Sequence, residues 1–166
     1  MFELMIPHSR FFWLEGRKLM GEGKFEDSIN YLHGALVSCP PGDSSQKFNI
    51  LLDLGYSVAV AYDSLCSAAP IFERAFGMAR CAPNDSKAQL YNNLSHCYLE
   101  ELIDEFDFEK KAMLGYQALA LVMLAKEYYH ATNDKPKLYS ATELEEEIRR
   151  EIGDLHRGVE ELFLEE

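Results

Sequence analysis

No apolar run in this sequence reaches the length that crosses a bilayer. The most apolar stretch, Leu119 to Ala125, is ended by Lys126 and Glu127. Met1 to Pro7 carries no positive charge and only a short apolar run, so no secretory signal is visible. The expectation is a cytoplasmic protein with no membrane partner. Cysteines are few and widely spaced, at Cys39, Cys66, Cys81 and Cys97. Without a C-x-x-C pair, a structural zinc site is not expected, and buried free thiols are. Basic residues are scarce: 16 against 28 acidic ones, for a net charge of −12. Such a surface repels phosphate backbones and excludes nucleic acid as the expected partner. It attracts basic proteins or peptides, and it also serves plain solubility.

Catalytic signatures are missing too. Gly16, Gly21 and Gly23 fit neither G-x-G-x-x-G nor the P-loop. There is no H-E-x-x-H and no G-x-S-x-G. His96 beside Cys97 is the one suggestive pair. Neighbours on a helix point about 100° apart, so the two cannot face one substrate. The carboxylates Glu100, Glu101, Asp104, Glu105, Asp107 and Glu109 lack the spacing and the glycine of a calcium loop. They read as a solvated acidic turn. No enzyme, cofactor or metal is expected.

What the chain does have is apolar content, 48%, laid out with helical periodicity. No segment alternates as a strand would. Turn clusters fall at Pro40–Asp43, Ala82–Asp85 and Asn133–Pro136, cutting the chain into blocks 1–40, 43–82, 86–131 and 138–166. Asp43 with Gln46, Ser86 with Gln89 and Thr142 with Glu145 each fit a capping box. The first three blocks predict two helices each. These run over 9–20 and 25–38, over 46–65 and from 69–70 onward, and over 87–102 and 108–129. The fold class is all-α.

The second helices align. Ser28, Leu32 and Ala35 share their spacing with Ala68, Phe72 and Ala75, and less well with Lys111, Gly115 and Ala118. A small residue lets the first helix approach, the large one fills the gap, and alanine seats the next pair. Within residues 9–42, Phe12, Gly16, Leu19, Gly23-Lys24-Phe25, Ser28, Leu32, Ala35-Leu36 and Pro40 resemble the tetratricopeptide repeat of about 34 residues. Glu15 stands where that family carries an apolar residue. Residues 45–83 resemble it through Gly55, Ala59, Ala68, Phe72 and Ala75, and 86–131 through Tyr91, Leu94, Ser95, Tyr98 and Ala118-Leu119. Ala35 to Ala75 is 40 residues and Ala75 to Ala118 is 43, a spacing that also suits HEAT-type repeats. The resemblance implies one domain over 1–166: a short right-handed superhelical solenoid of three antiparallel helix pairs, used to bind proteins.

Block 138–166 differs. Leu144, Ile148, Ile152, Leu155, Val159 and Leu162 form one apolar stripe. It reads as a helix capping the solenoid's open end, with a coiled-coil homodimer seam as the alternative.

In a solenoid of helix pairs the first helices line the inner face. The candidate groove residues are Arg10, Trp13, Arg17 and Met20 in the first pair. Asp53, Ser57 and Val60 follow in the second, and Gln89, Asn92, Asn93 and His96 in the third. Trp13 and Arg17 lead the set, being helix neighbours of the types that anchor interfaces. Relatives that hold a chaperone's C-terminal carboxylate use Lys and Asn at these places. Only Asn93 survives as such here, so that ligand is not expected. Three functions fit this reading. One is an adaptor binding a protein or peptide in the groove. The second is a chaperone shielding a partner, similar to the small acidic three-repeat chaperones of type III secretion. The third is a subunit docking through its C-terminal helix.

Overall fold

The computed structural model describes residues 8–164, with no side-chain description for Cys81 or for 158–164. Met1–Pro7 and the side chains of Val159 and Leu162 therefore lie outside the described residues. Those residues form seven α-helices and two short 3-10 turns, with no strand. The helices gather into two compact units divided between Ala82 and Pro83.

The first unit opens with α1 (His8–Gly21) and α2 (Phe25–Ser38). Gly23 has φ +74°, a backbone region where side chains are strained, and the Lys24 N–H closes the turn on Leu19 O at 2.9 Å. Gly16 lets α1 sit directly on Leu32 of α2; a Cβ there would come within 2.8 Å of Leu32 Cγ. Ser9 Oγ donates to Ala35 O at 2.8 Å and ties the far end of the pair.

α3 (Ser44–Ala61) follows. Asp43 caps it, its carboxylate accepting from the Gln46 N–H at 2.9 Å. The reciprocal half of the expected capping box is not made, because Gln46 Nε2 donates across to Ser9 Oγ at 3.2 Å. Phe48, Ile50, Leu51 and Leu54 are wholly buried, so α3 is the centre of this unit. Each such side chain contributes about 1.5–3 kcal/mol relative to exposure. Gly55 lies against the ring of Phe72 on α4 (Ala69–Phe76). α4 spans only eight residues, entered through the 3-10 turn Cys66–Ala68 with Pro70 in its first turn.

The second unit holds α5 (Asn84–Asp104), α6 (Phe108–Ala131) and α7 (Lys135–Leu164). α5 starts at Asn84 after Pro83, with no side-chain cap bond, so the Ser86–Gln89 capping box is not formed. Ser95 Oγ donates to Ala118 O at 2.8 Å and seats α5 on α6. α7 begins seven residues before Thr142. Asp134 Oδ1 accepts from the Lys137 N–H at 3.3 Å, and Pro136 is tolerated in a first turn. Thr142 is therefore inside the helix, donating to Leu138 O at 2.8 Å, and the expected cap there is replaced by the one at Asp134. Glu145 instead holds Lys126 of α6 at 2.6 Å and Arg149 at 2.7 Å.

The apolar stripe of α7 is occupied within the unit. Ala141, Leu144, Ile148 and Ile152 are buried with Leu102, Leu114, Ala118, Val122 and Ala125. Gly115 departs from the repeat pattern by offering no large side chain, and Ile152 fills its place, so that a Cβ on Gly115 would meet Ile152 Cγ1 at 2.8 Å.

Candidate binding face

The helical register of α1 turns Phe12, Gly16 and Leu19 toward α2 and leaves Arg10, Trp13, Leu14 and Arg17 on other faces. Arg10, Leu14 and Arg17 are exposed, while Trp13 and Met20 are half-buried. Trp13 rests its ring against the small core of Ala35, Cys39 and Ile50. Its indole Nε1 donates to Asp53 Oδ2 on α3 at 2.7 Å. The Arg17 guanidinium stands 5.7 Å from the Trp13 ring centre, and its Nε lies 3.6 Å from the same carboxylate oxygen. Three residues picked from the sequence thus meet in one cluster that joins two helices.

Asp53 is the strained member electrostatically. Burial raises its pKa above the ordinary carboxylate value, against the lowering by the Trp13 hydrogen bond and the Arg17 charge. Both partners engage Oδ2.

Ser57 is not on this face. It is fully buried, with its Oγ 3.2 Å from Ser28 Oγ where α2 meets α3. The physical reason is register: Ser57 lies about 40° to one side of Asp53 and Tyr56 about 60° to the other, and α2 covers the Ser57 side. Tyr56, three on, and Val60, seven on, are exposed on the Asp53 side. Val60 was read from the sequence; Tyr56 and Leu14 were missed. The close approach of Gly55 to Phe72 sets the register that places Tyr56.

Tyr56 meets Phe25 edge to face with ring centres 6.0 Å apart. Beside Phe25 lies a shallow cleft of about 320 Å³, lined by Gly23, Lys24, Phe25, Glu26, Asp27 and Ala61. The face thus runs from Arg10 past the Trp13–Asp53 bond toward an open concavity at the turn between α1 and α2.

In the second unit, Gln89 is exposed and Asn92, Asn93 and His96 are half-buried along α5. Asn92 Oδ1 is buried without a hydrogen-bond partner. Burial lowers the His96 pKa, with Glu147 and Glu100 pulling the other way. Cys39 and Cys97 are buried, and Cys66 is half-buried. Among the described residues no three His, Cys, Asp or Glu side chains are grouped to hold a metal ion. No helix among them is long and apolar enough to cross a membrane.

Comparison with known proteins finds no match to any family model, curated protein or solved structure.

Proposed function

We propose that this chain is a protein-interaction module of tetratricopeptide-like helix pairs, receiving a segment of another protein along the α1–α3 face of its first unit. The observation that carries the reading is the Trp13–Asp53–Arg17 cluster. A tryptophan, an arginine and a half-buried carboxylate are tied together across two helices, beside exposed Leu14, Tyr56 and Val60. Trp, Tyr and Arg concentrate binding energy at interfaces, and a cluster held rigid before binding loses little freedom on contact. Glycine facing a large side chain in both helix pairs of the unit, Gly16 with Leu32 and Gly55 with Phe72, supports the repeat-like arrangement. Docking through the C-terminal helix has less support, because its stripe is buried within the second unit as far as Ile152.

The test is co-purification of the tagged protein from its own cells, wild type beside a Leu14→Glu/Arg17→Glu variant. Both side chains are exposed, and a thermal melt of the variant beside the wild type checks that loss of the Arg17–Asp53 pair leaves the fold intact. The expected result is a defined partner whose recovery drops about tenfold or more in the variant. That purified partner should also shift the emission of Trp13, the single tryptophan of the chain. Equal recovery by both proteins sinks the reading.

A further inference from the structure

The turn joining α5 and α6 exposes more apolar surface than the fold requires. Phe106 is 101% exposed, with Ile103 at 51% and Phe108 at 44% on either side. Single exposed apolar residues are ordinary, but three within six positions of one turn form a patch. The turn is also fastened. Glu105 Oε1 accepts from the Phe106 N–H at 2.9 Å and the Asp107 N–H at 3.0 Å, while its Oε2 pairs with Lys110. Asp107 caps α6 by accepting from the Lys110 N–H at 2.8 Å. The Glu105 carboxyl is held down at about 2 by the Lys110 hydrogen bond, then by the backbone donors. These bonds fasten the backbone around Phe106, whose side chain is fully exposed.

Charge states what would cover it. Residues 100–111 carry six carboxylates against two lysines. Glu105 and Asp107 are used within the turn, and Glu105 neutralises Lys110. Asp104 and Glu109 flank the aromatic residues, are exposed, and hold no ion pair among the described residues. An anionic lipid surface is repelled by this rim, and so is a second copy of the same acidic turn.

We infer that the α5–α6 turn is a second docking surface, which takes a basic amphipathic segment of a partner protein. Phe106 enters the segment's apolar face, and Asp104 and Glu109 meet its lysines or arginines. This surface is built from other residues than the α1–α3 face and does not depend on it. Apolar contact at the centre with opposite charge at the rim is the arrangement that gives both affinity and steering.

The probe is a synthetic amphipathic peptide of lysine and leucine, titrated into the full chain and followed by isothermal calorimetry. Phe106→Ser and Asp104→Asn/Glu109→Gln variants run beside it, and each should melt with the wild type because the altered side chains are exposed. The expected result is saturable binding, weakened about tenfold or more by Phe106→Ser. Asp104→Asn/Glu109→Gln should weaken it severalfold and flatten its dependence on salt between about 0.05 and 0.5 M. Trp13 emission should stay unchanged, which keeps this result distinct from occupancy of the α1–α3 face. Binding that is indifferent to Phe106→Ser would show only the attraction of an acidic protein for a basic peptide, and would overturn the inference. So would the absence of saturable binding. So too would Phe106-dependent binding to neutral phosphatidylcholine vesicles with none to the peptide.

Discussion

Replacing Gly55 with alanine should destabilise the protein, although alanine is the better helix former. A Cβ at this position would stand 2.4, 2.7 and 2.8 Å from Cε1, Cδ1 and Cζ of Phe72. Ordinary carbon contacts lie near 3.5–4.0 Å, so α3 and α4 would have to part by roughly 1 Å. The ring cannot step aside, being wholly buried. Overpacking of this kind costs about 1–3 kcal/mol or more, while the helix gains about 1 kcal/mol from losing glycine. The 2.4 Å approach puts this site at the upper end of that cost, so the net expectation is a loss of roughly 2 kcal/mol. Gly153 is the internal control. It lies within α7 with nothing within 4 Å of its added Cβ, so Gly153→Ala should stabilise by about 0.5–1 kcal/mol. Urea unfolding followed by circular dichroism reads both, with unchanged slopes showing that native compactness is kept. Phe72→Leu on top of Gly55→Ala should recover part of the loss. If Gly55→Ala is as stable as the wild type, the packing of α3 on α4 described above is wrong.

Two further predictions concern titrating groups. The Asp53 pKa is raised by burial, so ionising it works against folding. That cost is absent below its unfolded value and grows as pH rises through its folded one. Asp53→Asn keeps an acceptor for the Trp13 indole and removes this cost, so its melting temperature at pH 7 should equal or exceed the wild type's; a clear drop would contradict the assignment of burial as the dominant cause. His96 has its pKa lowered by burial from the ordinary 6.5. Its neutral form favours the fold fully above that value, and the benefit is lost as pH falls from there toward the folded value. Unfolding measured at pH 7 and pH 5.5 should therefore show a loss that is smaller in His96→Gln; identical losses in the two proteins count against it.

Helix existence was legible because turn chemistry and periodicity agree along most of the chain. The Pro40–Asp43 cluster ends one helix and caps the next, as its residue types imply. Boundaries failed where two signals compete. Thr142 with Glu145 makes a plausible cap, but Asp134 and Pro136 offer an earlier start, and the apolar contacts of Leu138 and Ala141 extend the helix that far. Trp13, Arg17 and Asp53 could be chosen from spacing and residue type alone. Ser57 could not be rejected, because the rotation of α3 is set by how Gly55 meets Phe72, a contact between helices that no local pattern contains. Gly115 likewise aligns less well with the other second helices because Ile152, far along the chain, fills its place. Phe106 carries no periodic signal at all, since it sits in a turn and packs against nothing.

The most direct measurement of the central claim is site-specific photo-crosslinking in the native cell. A photoreactive residue is placed at Leu14, at Tyr56, or at Val37, which is 87% exposed on α2 outside the proposed face. The account predicts that positions 14 and 56 crosslink to the same protein and that position 37 does not. Crosslinks that are equal at all three positions, or found at 37 alone, would contradict a binding face built on α1 and α3.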